Sequence, residues 1–358
     1  MKRTLLTFLL LVYAVTLLSG QVNVLDIESK QAIGKQLYFY KDVADTLTIE
    51  NVELWSKQEQ LAERGSKGIS FLGFNTHNYW IKFELEGFQE AKQGYILQIA
   101  QPFNKNLDLY YKDAGGNWIV KSLGTSTPRS DLDIKSIYPT FELDNLSPQH
   151  STVYVRVQNN SIDLPFYVYT KAHLADTKVF RDVIFGIFVG LLIFVIINNT
   201  YLYFFFRERT YLYYVCVVTG YLLFGVGYEG YFKPLVADGF WYYNYEELVS
   251  MLSHVAYGMV PAYTARFFEL PKKHRLSRLV KIFVVTAILI FLGTLSSALA
   301  GNPVPFLYII IANQTLALVA LIITVFITLD ARKQQLSGST YFLVAYFCYF
   351  VFTLLEVL

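Results

Sequence analysis

Six apolar runs, each close to the ~20 residues that one bilayer crossing needs, fill the second half of this sequence. They extend approximately over Val183 to Phe206, Tyr211 to Tyr231, Leu248 to Phe268, Leu279 to Leu299, Pro305 to Leu329 and Thr340 to Leu358. A chain cannot hide that many long greasy segments in one water-soluble core, so residues 179–358 are expected to form an all-α transmembrane helical bundle. Composition agrees, with 54% hydrophobic and only 16% charged residues, against the ~25% charged of a typical soluble domain. The polar residues are concentrated upstream. Between Gln21 and Lys178 there are 16 Lys/Arg and 19 Asp/Glu, whereas Val179 to Leu358 holds 12 and 9. The expectation is therefore a multi-domain membrane protein, with a polar domain over 21–178 ahead of the bundle.

The loops orient the bundle. Arg207 and Arg209, the run from Arg266 to Lys281, and Arg332 with Lys333 carry the cations, while the intervening gaps Phe232 to Glu247 and Ala300 to Val304 hold Lys233 among Asp238, Glu246 and Glu247. Basic loops stay in the cytoplasm, so the first, third and fifth spans are expected to run from outside to inside. The N-terminus, MKRTLLTFLLLVYAVTLLSG, gives the same orientation independently. A charged start, an apolar run and small residues before Gln21 make the layout of a secretory signal peptide over 1–20, with a retained anchor helix as the alternative. Either way the polar half is exported.

Within that half, short stretches alternate in polarity. Ile81, Phe83 and Leu85 interleave with Trp80, Lys82 and Glu84; Leu107, Leu109 and Tyr111 with Asp108 and Tyr110; Val153, Val155 and Val157 with Tyr154, Arg156 and Gln158. A period of two means strands with one buried face. Seven or eight of them, separated by turns such as Asp113 to Trp118, predict an all-β, jelly-roll-like sandwich, with helical periodicity only around Ser56 to Arg64. Cys216 and Cys348 both lie in the apolar half, so the sandwich is expected to stand without a disulfide.

No paired Cys/His spacing, phosphate-binding glycine loop or nucleophile elbow occurs in the sequence. No catalytic residue, metal, cofactor or nucleic-acid partner is expected. Trp80, Tyr110, Trp118, Arg129 and Asp131 are the candidate ligand residues, because a sugar offers an apolar face for stacking and hydroxyls for bonding. The plainer reading is that Trp80 closes the sandwich and Arg129 pairs with a surface acid, although Arg129 sits in the turn-rich TSTPRSDLD, where binding groups tend to lie. Within the spans, Asn198, Asn199, Glu229, His254, Asn313 and Gln314 are polar and are first read as interhelical hydrogen-bonding groups. A Glu229–His254 pair is the second reading. Gly186 and Gly190 permit close helix approach, either inside the bundle or between two copies in a homodimer. Pro261 is read equally as a hinge or as a packing irregularity.

Several stretches resemble a single family. Phe185 to Val215, GYEGYFKPL and ARFFELPKKHRLSRLV are similar to the membrane module of bacterial seven-transmembrane receptors with diverse intracellular signalling modules. GFNTHNYWIKFEL, NLDLYY, LGTSTPRS and VYVRVQNNSIDLPFYVY resemble that family's periplasmic sensory domain, a jelly roll like those of carbohydrate-binding modules. The resemblance implies a receptor of the bacterial inner membrane whose N-terminal domain binds a small molecule, a carbohydrate being one class. It also implies a seventh span and a cytoplasmic output domain such as a histidine kinase or diguanylate cyclase. This sequence ends in the sixth span, so it is expected to be a receptor truncated there, silent in signalling and not itself an enzyme. A transporter or a membrane-embedded enzyme with an extracytoplasmic binding domain is the alternative.

Overall fold

The computed structural model describes residues 21–23, 31–56, 62–65, 70–71, 77–86, 94–113, 115–143, 150–158, 163–301 and 306–347. The expected signal peptide and the last part of the expected sixth span lie outside them. By packing, the chain divides into two units. One comprises the described residues up to Asp182 together with Lys233–Tyr243, and the other comprises Val183–Phe232 and Asn244 onward.

The first unit is a β-sandwich. Its larger sheet contains β1 (Gln21–Asn23), β3 (Tyr38–Asp42), β4 (Glu63–Arg64), β6 (Asn78–Glu86), β8 (Asn106–Lys112), β9 (Trp118–Leu123) and β11 (His150–Gln158), in the order β4-β3-β6-β11-β8-β9 with β1 also on β6. The smaller sheet contains β2 (Gln31–Ala32), β7 (Tyr95–Ile99), β10 (Thr140–Glu142) and β13 (Phe166–Thr170), in the order β10-β7-β13-β2. A two-stranded ribbon joins β5 (Ser70–Phe71) to β12 (Asp163–Leu164). The apolar phase of each alternating run meets the other sheet. Ile81, Phe83, Leu85, Leu107, Leu109, Val153 and Val155 are all buried against Leu97, Phe141, Phe166 and Val168. Thirteen strands appear among the described residues where alternation gave seven or eight, because pieces of two or three residues carry no readable period.

The helix of this domain, α1, spans Ile49–Ser56. Helical periodicity had pointed to the region around Ser56 to Arg64, but Glu63–Arg64 pair with Tyr38–Phe39 as a strand. The start signal lies upstream. Thr48 and Asn51 bond reciprocally, Thr48 N–H donating to Asn51 Oδ1 at 3.2 Å and Asn51 N–H to Thr48 Oγ1 at 3.5 Å, which satisfies donors that a helix start leaves open. Ile49 and Val52 then close over the outer face of the larger sheet, onto Tyr40, Trp80 and Tyr154.

The second unit is helical. Helix α2, Lys171–Phe206, starts directly after β13 and has no buried residue. Its 36 residues reach about 54 Å, well beyond the ~30 Å hydrocarbon layer. Next come α3 (Arg209–Tyr228), the single turn α4 (Phe240–Tyr243), which belongs to the first unit, then α5 (Tyr245–Phe267), α6 (Arg275–Leu299) and α7 (Phe306–Lys333), and residues 339–347 are again helical. Among the described residues, four helices are long and apolar enough to cross a membrane: Lys171–Phe206, Arg209–Tyr228, Arg275–Leu299 and Tyr308–Lys333. Helix α5, which covers most of the expected third span, is not among them, and its position explains why. It packs against α3, α6 and α7 at once, so Glu247, Ser250, Ser253, His254 and Thr264 are buried among helices. Its sequence answers to neighbouring side chains more than to lipid.

Among the described glycines of the bundle the tightest surroundings are at Gly220 of α3, where an added Cβ would stand 2.9 Å from the Ala256 Cα. At Gly186 and Gly190 an added Cβ meets nothing within 4 Å. Among the described residues the small-residue spacing of Gly186 and Gly190 therefore makes no close contact, and Gly220, which has no such spacing, does. Helix α5 continues through Pro261 to Phe267 without a break.

Candidate functional site

Two-residue alternation places every second side chain of β3, β6, β11, β8 and β9 on the outer face of the larger sheet. The register aligns them in rows: Tyr40, Trp80, Arg156, Asp108 and Ser122 in one, Tyr38, Lys82, Tyr154, Tyr110 and Val120 in the next. Helix α1 covers one end of this face. Beneath it Trp80 is 1% exposed, with the Tyr110 ring 5.1 Å away and the Arg156 guanidinium 5.6 Å above its own ring. Trp80 is thus a packing residue of a second small core.

The uncovered end is polar and accessible. Arg156 pairs with Asp45, Ser122 donates to Asp108 at 2.6 Å, and the Asn106 and Gln158 side chains meet at 2.9 Å. Burial, followed by the Asp108 carboxylate, pushes the Tyr110 phenol upward from its ordinary range, so Tyr110 remains a neutral hydroxyl. Trp118 packs edge-on to Tyr154 at 5.9 Å, and Lys112 sits 4.6 Å over its ring while holding Glu53 at 2.6 Å. A guanidinium, a carboxylate, two amides and a phenol thus share one open face beside aromatic rings.

Of the five candidate residues, the fold gathers Trp80, Tyr110 and Trp118 on this face and sets Arg129 and Asp131 elsewhere. Asn106, Asp108, Arg156 and Gln158 join the site although the sequence did not single them out. They occupy the polar phase of β8 and β11, and the missing information was that these strands, far apart in sequence, are neighbours in the sheet.

Arg129 and Asp131 lie in the strap from Gly124 to Pro139. Arg129 Nη1 donates to the Ser136 carbonyl at 3.1 Å and Nη2 to that of Lys135 at 3.3 Å, while Asp131 accepts from Ser130 at 2.9 Å. The strap touches two segments that continue into helices. The Arg129 backbone N–H donates to the Asp238 carboxylate, and the Arg181 guanidinium of α2 lies 5.2 Å from the Tyr138 ring centroid. Tyr242 and Lys233 join Leu132, Ile137 and Tyr138 around a residual space of about 20 Å³, room for roughly one water. Burial pushes the Tyr242 phenol up to about 12. Segment Lys233–Tyr243, which the chain threads between α3 and α5, is therefore packed as part of the sandwich unit.

In the bundle, the expected interhelical bonding rests on Asn313. Its Oδ1 accepts from Ser253 Oγ at 2.9 Å and from Ser250 Oγ at 3.3 Å, joining α7 to α5. Asn199 instead bonds its own helix at the Val195 carbonyl, 2.8 Å away, and Asn198 and Gln314 are exposed. Glu229 caps the end of α3. Among the described residues the buried His254 makes no hydrogen bond to Glu229; the side chain beside its ring is that of Asn313.

Comparison with known proteins follows the same division. Residues 34–170 match the family model described as 7TMR-DISM extracellular 2, and residues 181–358 match the one described as 7TM diverse intracellular signalling. Among curated proteins none matches the chain. A solved structure titled as TmCBM61 in complex with beta-1,4-galactotriose is 14% identical over 30% of this chain and 74% of that chain, with a TM-score of 0.19, too slight a likeness to bear on fold or ligand. With two models of one family matching the sandwich and the helices in order, the chain belongs to the seven-transmembrane receptors with diverse intracellular signalling modules, and its N-terminal sandwich is an extracellular domain of that family.

Proposed function

We propose that this chain is the ligand-sensing and transmembrane portion of a bacterial signal-transduction receptor of the inner membrane. In this reading a periplasmic solute, of which a carbohydrate is the favoured class, binds the open end of the larger sheet beside Tyr110, Asp108, Arg156 and Gln158. Carbohydrate suits that chemistry, since the charged and amide groups pair with vicinal hydroxyls and the rings stack on C–H faces. The observation that carries the transmission step is the strap Gly124 to Pro139. It holds both the stem of α2, through Tyr138 and Arg181, and segment Lys233–Tyr243, through Arg129 and Asp238. A change in the sandwich then reaches three helices by covalent continuity, α2 on one side and α3 with α5 on the other. A cytoplasmic output module would read their rearrangement.

Two experiments test this. The full chain in lipid nanodiscs, titrated with a panel of neutral oligosaccharides, should show binding by tryptophan fluorescence, and Arg156→Ala or Asp108→Ala should weaken it about tenfold or more, the usual cost of leaving a charged partner unpaired. Saccharide binding indifferent to both substitutions would remove the site from this face. The orientation is tested separately in a chain whose Cys216 and Cys348 are serine. Asn302→Cys should react with an impermeant thiol reagent added from outside and Gln334→Cys should not; the reverse would overturn the receptor topology.

A further inference from the structure

We infer that the groove between α3, α5 and α6 binds an anionic phospholipid of the cytoplasmic leaflet. Helices α3 and α6 each pack on α5, and the groove runs along α5 between them with a volume of about 990 Å³, at the upper end of the ~300–1,000 Å³ range of ligand pockets. Its wall is apolar: Leu212 and Cys216 from α3, Met259 from α5, and Val280 and Val284 from α6. Its lining also carries three cations, Arg266, Lys272 and Lys281, against a single carboxylate, Glu269, all from the end of α5, the turn after it and the start of α6. These three cations form no ion pair with any described carboxylate, and all are exposed at the groove mouth. A negatively charged headgroup with an acyl tail matches that layout, charge to charge and chain to wall.

The site's depth in the membrane follows from the extracellular sandwich. Helix α2 runs inward, α3 outward and α5 inward, which puts the Phe268 to His274 turn at the cytoplasmic surface. Cations there attract acidic lipids, and long basic side chains reach the headgroup level while their stems line the wall. A comparison lies within the same bundle. A second groove of about 370 Å³, between α6 and α7 and lined by Ile282, Phe283, Ile290 and Leu316, contains no charged side chain. It offers any acyl chain a place and no headgroup a reason to prefer it. Selectivity for acidic lipid therefore resides in the first groove.

The test uses the full chain, purified in detergent, depleted of lipid and examined by native mass spectrometry with added phosphatidylglycerol or phosphatidylcholine. We expect phosphatidylglycerol to be retained roughly tenfold better than phosphatidylcholine. The preference should vanish in Arg266→Gln/Lys272→Gln/Lys281→Gln and persist in Arg207→Gln/Arg209→Gln/Arg332→Gln, which removes three cations outside the groove. A second measurement guards against misfolding of the triple variants. In an otherwise unaltered chain carrying Cys348→Ser, phosphatidylglycerol should slow alkylation of Cys216, and neither phosphatidylcholine nor inorganic phosphate should. No preference, a preference lost equally in both triple variants, or equal protection of Cys216 by both lipids would overturn the proposal. So would protection by inorganic phosphate alone, or a dimer abolished by the first triple variant without any lipid preference, which would place a second copy of the chain in the groove.

Discussion

Gly124→Ala is expected to destabilise the sandwich by roughly 3–5 kcal/mol, at the severe end for a single methyl group. Gly124 has φ +122°, and an added Cβ would stand 2.2 Å from the Lys105 carbonyl oxygen and 2.9 Å from that of Asn104. Both obstacles are backbone, and the chain at this point is bound to that segment by the Thr125 N–H to Asn104 carbonyl bond of 2.9 Å. No rotamer change relieves the clash, so the strap must leave its place. Thermal unfolding of the full chain, followed by tryptophan fluorescence, should shift down by about 10 °C or more for a domain of this size. Gly116 provides the control. It too has a positive φ, +82°, but an added Cβ there meets nothing within 4 Å, so Gly116→Ala should cost only about 1 kcal/mol of left-handed backbone strain.

The second large effect is expected in the membrane. Gly220→Leu should split α3 from α5, because even the first added carbon falls 2.9 Å from the Ala256 Cα and 3.1 Å from its nitrogen. Overpacking against side chains costs about 1–3 kcal/mol, and here the opposing atoms are backbone, so about 3 kcal/mol or more is expected in reversible denaturation of the bundle in mixed micelles. Gly186→Leu, on the unburied helix α2, should be close to neutral in the same assay. Equal effects at the two positions would contradict the packing described for α3 and α5. Beside this contact Tyr245, 1% exposed, donates to the Gly227 carbonyl at 2.7 Å, which ties the start of α5 to the end of α3.

Local patterns in the sequence recorded local physics and missed what depends on strand or helix adjacency. Ile81, Phe83, Leu85 and their counterparts on β8 and β11 were legible as core because burial on one face leaves a period of two. Trp80 belongs to the opposite phase and was open to two readings, a ligand platform or, more plainly, a residue that closes the sandwich. It is buried because α1 covers that end of the sheet, a tertiary fact with no trace in the alternation. Arg156 and Asp108 read as solvated polar positions until the register placed them side by side. Segment Lys233–Tyr243 read as a short gap between spans, since its role depends on a strap more than a hundred residues upstream. Hydropathy gave the apolar runs, yet α5 is not among the described helices apolar enough to cross a membrane, because its polar side chains face Asn313 and other helices. Gly220 was invisible for the same reason: one glycine without a spaced partner carries no motif.

The claim on which the receptor account turns is that the sandwich holds Lys233–Tyr243 through the strap, and the Arg129 amide reports it directly, because that N–H donates to the Asp238 carboxylate. Hydrogen exchange of the full chain in nanodiscs, resolved at residues 129–138, should show the Arg129 amide protected. Asp238→Ala should release that protection while leaving the amides of β6 and β11 unchanged. An Arg129 amide that exchanges at the unprotected rate in the unaltered chain, or one whose protection survives Asp238→Ala, would contradict the account.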